Sequence, residues 1–495
     1  MTTSRADGPY DLAVLGAGPA GLAAAVTAAA AGARVALVDA GPRVGGQYWR
    51  HRPGDTGAAH HGWAAFQRLR HGLAAHAGRL HHLPGHAVWH TGRTAGGFRT
   101  HTLHDGTEQV VESTAVVVAT DAYDHQLPFP GWTLPGVFTA GGAQALLKGH
   151  GVVAGRRIAV AGTGPFLPAV AAGLAEAGAR VVGVSEAGLP ASFVRQPLTV
   201  AANPAKLAEG AGFLRTLLRH RVPYRTRTAV VAAHGEDEVT GVTVARVDAR
   251  WRVVPGSERR LDCDTLAVGY GFTPQIEIPL QLGCATRRDI DGSLVATADA
   301  RQRGSVPGVY LAGEVCGVGG AALSLTEGEL AGLHAAQAVG AAVADPVVVR
   351  RLVRRRTAQR QFAAALHRAF PVRPGWLGWL RPETVVCRCE EVTVRTATEA
   401  VTELGATDPR AVKLYARPGM GLCQGRVCGY ATACLVAARS GREATAEELR
   451  GMAGRPIAQP LPLGILAAGD PGADPESGSG IVPEAGTDES SMPAR

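Results

Sequence analysis

Two stretches of the chain carry the same order of apolar and polar positions. From Leu12 to Asp39 an apolar run is followed by a glycine turn, an alanine-rich segment, a second apolar run and an acid, and Ile158 to Glu186 repeats that order. A short apolar run bounded by glycine predicts a strand buried on both faces, and the run of small helix formers after it predicts a helix. Strand, turn, helix and strand therefore occur twice, which predicts an α/β fold with two Rossmann-like dinucleotide-binding units.

The remaining pattern divides the chain further. A histidine-rich stretch from His51 to His104 precedes a strand at Ala115 to Ala119 and a Pro/Gly-rich crossing at Leu127 to Gly142. A helix is expected near Pro204 to His220, strands around Ala229 to Val247, at Thr265 to Gly269 and at Val309 to Ala312, and a helix from about Leu325 to Ala342 that returns to the first unit. The boundaries that follow are 1–147 with 273–345 for the first unit and 148–272 for the second, 346–382 for a linker beginning with a basic helix, 383–466 for a small helical cysteine module, and 467–495 for a disordered Gly/Pro/Ser-rich tail.

Composition and charge narrow the function. Aromatics make up only 5% of the residues while glycine reaches 65 of them, which suits close backbone packing in α/β layers. The net charge of +8 comes from scattered arginines, with Lys148, Lys206 and Lys413 the only lysines, so the clustered basic face of a nucleic-acid binder is missing. Leu12 to Ala33 is uncharged for 22 residues, but its glycines and its strand-to-helix pattern argue against a membrane span. With no apolar signal core before Tyr10 and eight cysteines in a long chain, the expected setting is the reducing cytoplasm.

The first glycine turn is Gly16-Ala17-Gly18-Pro19-Ala20-Gly21, and Asp39 ends the next strand. Gly16 permits the tight turn, Gly18 lets the backbone approach a pyrophosphate, Gly21 lets helix and strand close, and Asp39 can accept from an adenosine ribose. Gly45-Gly46-Gln47 and Val309 to Glu314, ending in Gly313-Glu314, resemble the flavin-binding segments of the two-dinucleotide-domain disulfide reductase superfamily. That resemblance implies FAD, with Glu314 on its ribityl chain; the plain alternative is a surface loop carrying an acid. Asp121 stands where the superfamily commonly has glycine; aspartate tolerates a left-handed backbone better than most residues, so the turn is expected to survive with altered contacts.

The second turn, with Gly162 and Gly164, has Leu167 in place of the third glycine, which should loosen the phosphate grip, and Glu186 replaces the ribose-binding acid. It reads either as a site for NAD or another adenine nucleotide such as ATP, or as vestigial. Near the C-terminus Cys387-Arg388-Cys389 and Cys423 to Cys428 supply four thiols, the set a [2Fe-2S] cluster needs, whereas the single residue inside the first pair is short for zinc, which remains the alternative beside free thiols. Cys263, Cys284, Cys316 and Cys434 read as small buried residues.

Taken together, Gly16 to Gly21, Gly45 to Trp49, Gly313-Glu314 and Gly419 to Cys428 resemble the α subunits of heteromeric amino-acid dehydrogenases and oxidases, the opine oxidase, hydrogen cyanide synthase and D-hydroxyproline or proline dehydrogenase group. The cysteine segment resembles the bacterioferritin-associated ferredoxin type of [2Fe-2S] domain, and Arg455 to Gly464 resembles a C-terminal signature of the group, read as a docking strand or a proline-rich tail. In such complexes a separate β subunit flavoprotein bears the amine site and the α subunit passes electrons on. Two other functions compete: a stand-alone NADH-dependent reductase, and a non-catalytic redox scaffold. No catalytic residue is assigned, and substrate and electron acceptor stay open.

Overall fold

The computed structural model describes residues 9–58, 60–189, 204–455 and 457–467. The tail expected beyond Ala468 lies outside them. The first unit begins with β1 (Tyr10–Leu15), β2 (Val35–Asp39) and β3 (Leu80–Pro84), which pair in parallel. The histidine-rich stretch is not a loop. After the helix Trp63–Ala75 and β3 it folds into β4 (Ala87–Thr94) and β5 (Gly97–His104), which pair antiparallel and continue onto β6 (Thr107–Val118). The far half of β6 lies beside β1, so Leu12 to Leu15 are covered on both sides and wholly buried.

Next, β7 (Ala122–Asp124) leaves the first unit and β8 (Val137–Thr139) enters the second. There β9 (Arg157–Gly162), β10 (Arg180–Glu186) and β11 (Tyr224–Thr226) form a parallel sheet. After an antiparallel meander of β12 (Thr228–His234), β13 (Gly241–Arg246) and β14 (Arg259–Asp262), β15 (Thr265–Gly269) inserts between β9 and β8. The boundary expected at residue 147 therefore falls too late. β8 and the helix Ala140–His150 pack with the second unit, because Ala140 and Ala143 fill a core with Ile158, Val160 and Leu167. β16 (Phe272–Pro274) pairs antiparallel with β7, making the return crossing, and after the short β17 (Thr286–Arg288) and β18 (Leu294–Ala296) the chain adds β19 (Val309–Leu311) to β6.

The helices Pro19–Ala30 and Ala321–Ala338 pack most closely in the first unit. Both are built from small residues, and a methyl placed on Gly328 or Gly332 would overlap the backbone of Ala20 or Ala24. The linker helix Pro346–Ala369 starts with Pro346 at its first turn and Asp345 capping Val347 N–H at 2.7 Å. The cysteine module is a hairpin, β20 (Val385–Cys387) with β21 (Val392–Thr393), followed by four short helices between Val394 and Ala453. It shares one apolar core with the second unit through Trp132, Trp251, Trp376, Trp379 and Val386, and another with the first through Ile276, Leu294, Ala433 and Leu449. No helix of the described residues is long and apolar enough to cross a membrane.

Gly328→Ala tests the helix contact. Helix propensity alone favours alanine by about 1 kcal/mol, so a net loss of roughly 1–3 kcal/mol identifies overpacking against Ala20. The midpoint of urea unfolding reads it, with Gly78→Ala, which meets no neighbouring atom, as the control expected to stay within about 0.5 kcal/mol.

Candidate functional site

The first glycine turn sits where β1 ends. Gly16 has a φ of +105°, open to glycine at little cost, and its Cβ position lies against the carbonyl of Ala119 at the end of β6. A methyl on Gly21 would overlap the Gly16 carbonyl, so turn and helix are pressed together. Asp39 accepts from Ala17 N–H at 3.3 Å and from Gly41 N–H at 3.0 Å, and burial raises its pKa. The loop of Gly46 and Gln47 folds back over the turn: Gly45 N–H donates to Ala17 at 2.8 Å, and a methyl on Gly46 would lie 2.8 Å from the Gly18 Cα.

No side chain caps the helix that opens at Pro19 and Ala20, nor the helix that opens at Ala321. The first-turn amides of a helix have no partner within it and are the ones a pyrophosphate uses. Gly313 lies against Ala20 Cβ, which brings the late segment to the same turn, and Glu314 accepts from Gly320 N–H at 2.9 Å and Gly319 N–H at 3.3 Å. Burial first, and then the neighbouring Asp121 carboxylate, push Glu314 up to about 7, while burial pushes Asp121 to about 6. Asp121 keeps the turn without a left-handed backbone, and its carboxylate accepts from the N–H groups of Ala122 and Gln47. These cradles, with uncapped amides and no room for Cβ atoms, fit FAD.

The second turn is built differently. Glu186 is 0% exposed, and its carboxylate already accepts from the Thr163 hydroxyl at 2.7 Å, Gly164 N–H at 2.9 Å and Gly188 N–H at 2.7 Å. Burial pushes its pKa up to about 7. The acid thus closes its own turn and presents no free oxygen to a ribose. Gly162 packs against the Gly269 carbonyl, and Leu167 is buried against Gly269 of β15, so the helix is accommodated by a glycine on the neighbouring strand.

The four cysteines of the last module interact in two pairs. Cys387 and Cys428 are buried and share a hydrogen bond that lowers Cys387 to about 6 and raises Cys428. Cys389, raised by burial, pairs with Cys423 nearer the surface. Gly419 N–H donates to Cys387 Sγ at 3.5 Å, and a methyl on Gly421 would overlap the Cys389 Cβ. Among the described residues no three His, Cys, Asp or Glu side chains gather on one metal ion. Two thiol pairs with amides turned toward sulfur fit a binuclear cluster better than a single zinc. Cys263, Cys284 and Cys316 are buried and Cys434 half-buried, all as free thiols, so no disulfide pair flanks the flavin cradle.

Sequence reasoning missed the groups joining these sites. Glu277 receives Arg426 and Arg455, Tyr123 accepts from Arg426, and Glu327 receives Arg356 and Arg360 from the linker helix. Arg426 stands inside the Cys423–Cys428 segment and was visible as part of it; Glu277 carries no sequence signal. The segment after Arg455 crosses the chain's own β4, with Ala458 N–H donating to the Trp89 carbonyl at 2.7 Å.

Residues 10–340 match the pyridine nucleotide-disulphide oxidoreductase family, and residues 385–438 match the BFD-like [2Fe-2S] binding domain. The chain is 34% identical to hydrogen cyanide synthase subunit HcnB of Pseudomonas protegens over 84% of this chain and 90% of that one. It is also 34% identical to an opine oxidase subunit from Agrobacterium tumefaciens, over 85% of this chain and 84% of that one. The crystal structure of L-proline dehydrogenase from P. horikoshii superposes with a TM-score of 0.67 at 20% identity, covering 93% of this chain and 79% of that one, a likeness of fold.

His125 supplies a pH test of how the module is seated. Its ring bonds the Thr273 hydroxyl at 2.9 Å and packs edge-on against Tyr430 at 4.5 Å, and burial pushes its pKa from 6.5 to about 4, with Asp291 opposing. A histidine lowered on folding contributes stability that is complete above its unfolded pKa and is lost as pH falls through the folded one. Between about pH 6.5 and 4 the unmutated chain should lose up to about 3 kcal/mol from this group. Urea midpoints compared near pH 7.5 and pH 4.5 should show a smaller acid loss in His125→Gln.

Proposed function

Because the chain belongs to the pyridine nucleotide-disulphide oxidoreductase family and carries a BFD-like [2Fe-2S] binding domain, it is an FAD-dependent oxidoreductase, and we propose that it is the electron-passing α subunit of a heteromeric amino-acid or secondary-amine dehydrogenase or oxidase. The observation that carries this reading is the pairing of four cysteine thiols, two from the hairpin and two from a loop tied to Tyr123 beside the flavin unit, with no cysteine pair beside the cradle. A disulfide reductase needs such a pair. The relatives named as subunits, of hydrogen cyanide synthase and of opine oxidase, support a partner that bears the amine site.

In this reading Gly16, Gly18, Pro19, Ala20, Gly21, Asp39, Gly46, Gln47, Gly313 and Glu314 hold FAD, and Cys387, Cys389, Cys423 and Cys428 hold the cluster. Bound there, the two groups supply the exchange between two-electron and single-electron chemistry. The residues' share is positional. Asp39 orients the adenosine end, the helix that opens at Pro19 neutralises phosphate, and Glu314 receives polar groups of the chain between phosphate and ring. The closed turn at Glu186 weighs against a stand-alone NADH-dependent reductase, since the acid that would hold the ribose is spent on Thr163, Gly164 and Gly188.

The test is purification of the full chain anaerobically, alone and with a co-expressed partner. Alone, it should release flavin and about two irons per chain yet oxidise no amine and show no bleaching with NADH; complete amine oxidation by the chain alone would refute the reading. Cys428→Ser should lose the iron while keeping the flavin, as read by iron assay and visible spectrum.

A further inference from the structure

A buried group of charges ties the cysteine loop to the strand that follows the Ala119 to Asp121 turn. The side chains of Arg426, Arg455 and Glu277 are 10%, 4% and 7% exposed. One Glu277 oxygen, Oε1, receives Arg426 Nε at 2.9 Å and Arg455 Nη1 at 3.0 Å. The same two arginines hold the cysteine loop by its backbone: Arg426 Nη1 donates to the Cys423 carbonyl at 3.0 Å and Arg455 Nε to the Gln424 carbonyl. Arg426 Nε also reaches the hydroxyl of Tyr123 at 2.9 Å, on the strand that follows the Ala119 to Asp121 turn.

Two guanidiniums share one carboxylate, so the group carries an unbalanced positive charge away from water. Arg426 Nη2 is buried and has no partner. Burying an uncompensated charge costs several kcal/mol unless a counter-charge is near. Three sources of compensation are to be weighed. Water is one: a cavity of about 60 Å³ lined by Tyr123, His125, Glu277, Arg426, Tyr430 and Arg455 has room for a few molecules, which solvate a charge without cancelling it. A small anion there would meet the Glu277 carboxylate, which lines the same cavity and repels it. The thiolates themselves are the third source, and Cys423 already bears electrostatically on Arg455.

We propose that Arg426, Arg455 and Glu277 form a charged bracket that sets the reduction potential of the cluster on Cys387, Cys389, Cys423 and Cys428 while fixing its loop to the flavin unit. The inference rests on the cluster reading above. Taking up one electron adds one negative charge at the sulfur ligands. The arginines favour that charge and Glu277 opposes it, so the two signs act in opposite directions on the potential. A merely structural bracket has no such signature, because removing either side would loosen the loop in the same way.

The experiment uses the full chain purified anaerobically with its cofactors. Iron is assayed in the unmutated chain and in Arg426→Gln, Arg455→Gln, Glu277→Gln and Tyr123→Phe, and the electron paramagnetic resonance signal of the reduced cluster is followed in a dithionite titration with mediators. Arg426→Gln and Arg455→Gln should lower the midpoint by about a tenfold change in the reduction equilibrium, which is about 59 mV for one electron. Glu277→Gln should raise it, and the neutral change Tyr123→Phe should move it less than any of these. Should Arg426→Gln lose its iron, Arg455 and Glu277, which lie outside the cysteine loop, still decide the sign. Retained iron with shifts of one common sign, or with none, overturns the bracket. An unmutated chain without iron overturns the cluster reading itself.

Discussion

Glu327 has no exposure to solvent, and its carboxylate is shared by three parts of the chain. It accepts from Gly313 N–H at 3.1 Å, and it faces the guanidiniums of Arg356 at 3.1 Å and Arg360 at 2.8 Å. A lone carboxylate is costly to bury at that depth, whereas here two arginines and a backbone amide occupy its oxygens and offset the lost water. Arg360 also donates to the Gly317 carbonyl at 2.7 Å, so the linker helix clamps both ends of the segment that carries Glu314. The neighbouring Gly328 rests on the Ala20 backbone, and this contact carries the clamp to the first glycine turn. One buried charge network thus ties the linker helix to both parts of the cradle, Gly16 to Gly21 and Gly313 to Gly320.

The two dinucleotide turns show how similar sequences reach opposite outcomes. Asp39 is short and sits at the edge of the first turn, taking only the amides of Ala17 and Gly41 and keeping acceptor capacity for a ligand. Glu186 is one methylene longer and reaches into its turn, where Thr163 adds a hydroxyl that the first turn lacks. The added donor and the added reach tie the Glu186 carboxylate to its own turn, where Asp39 takes two amides alone. That difference turns on side-chain length and one neighbouring hydroxyl rather than on the glycine spacing that makes the two motifs look alike.

Much of this was legible beforehand because local pattern and final structure agree. The strand at Thr265 to Gly269, the helix near Pro204 and the basic linker helix were anticipated within a few residues, since each is a periodic run with clear ends. Misplaced features depend on pairings distant in sequence. Val137 to Thr139 reads as part of a crossing until Leu266 to Val268 lies beside it, and the histidine-rich stretch shows its strands only through alternation with β6. Glu277 meets Arg426 and Arg455 across well over a hundred residues, and no local pattern encodes such a meeting.

The way the cysteine module is seated constrains how electrons could leave it. A domain that swings between partners needs an interface it can abandon, small and polar, whereas this module contributes Val386, Val392 and Val436 to one core and Ala433, Ala437 and Leu449 to another. Trp132 adds an indole N–H donated to the Val385 carbonyl at 2.7 Å, and Trp379 another donated to the Trp251 carbonyl at 3.0 Å. Releasing the module would expose both cores and strand the Trp132 donor, so the structure favours a fixed separation between the flavin cradle and the cysteine loop. With Cys387 and Cys428 facing inward, only the side of Cys389 and Cys423 reaches the surface, and Leu422 beside it is 75% exposed. Under the proposed electron-passing reading, exchange with another protein would take place at that face, by the partner's approach rather than by the module's departure.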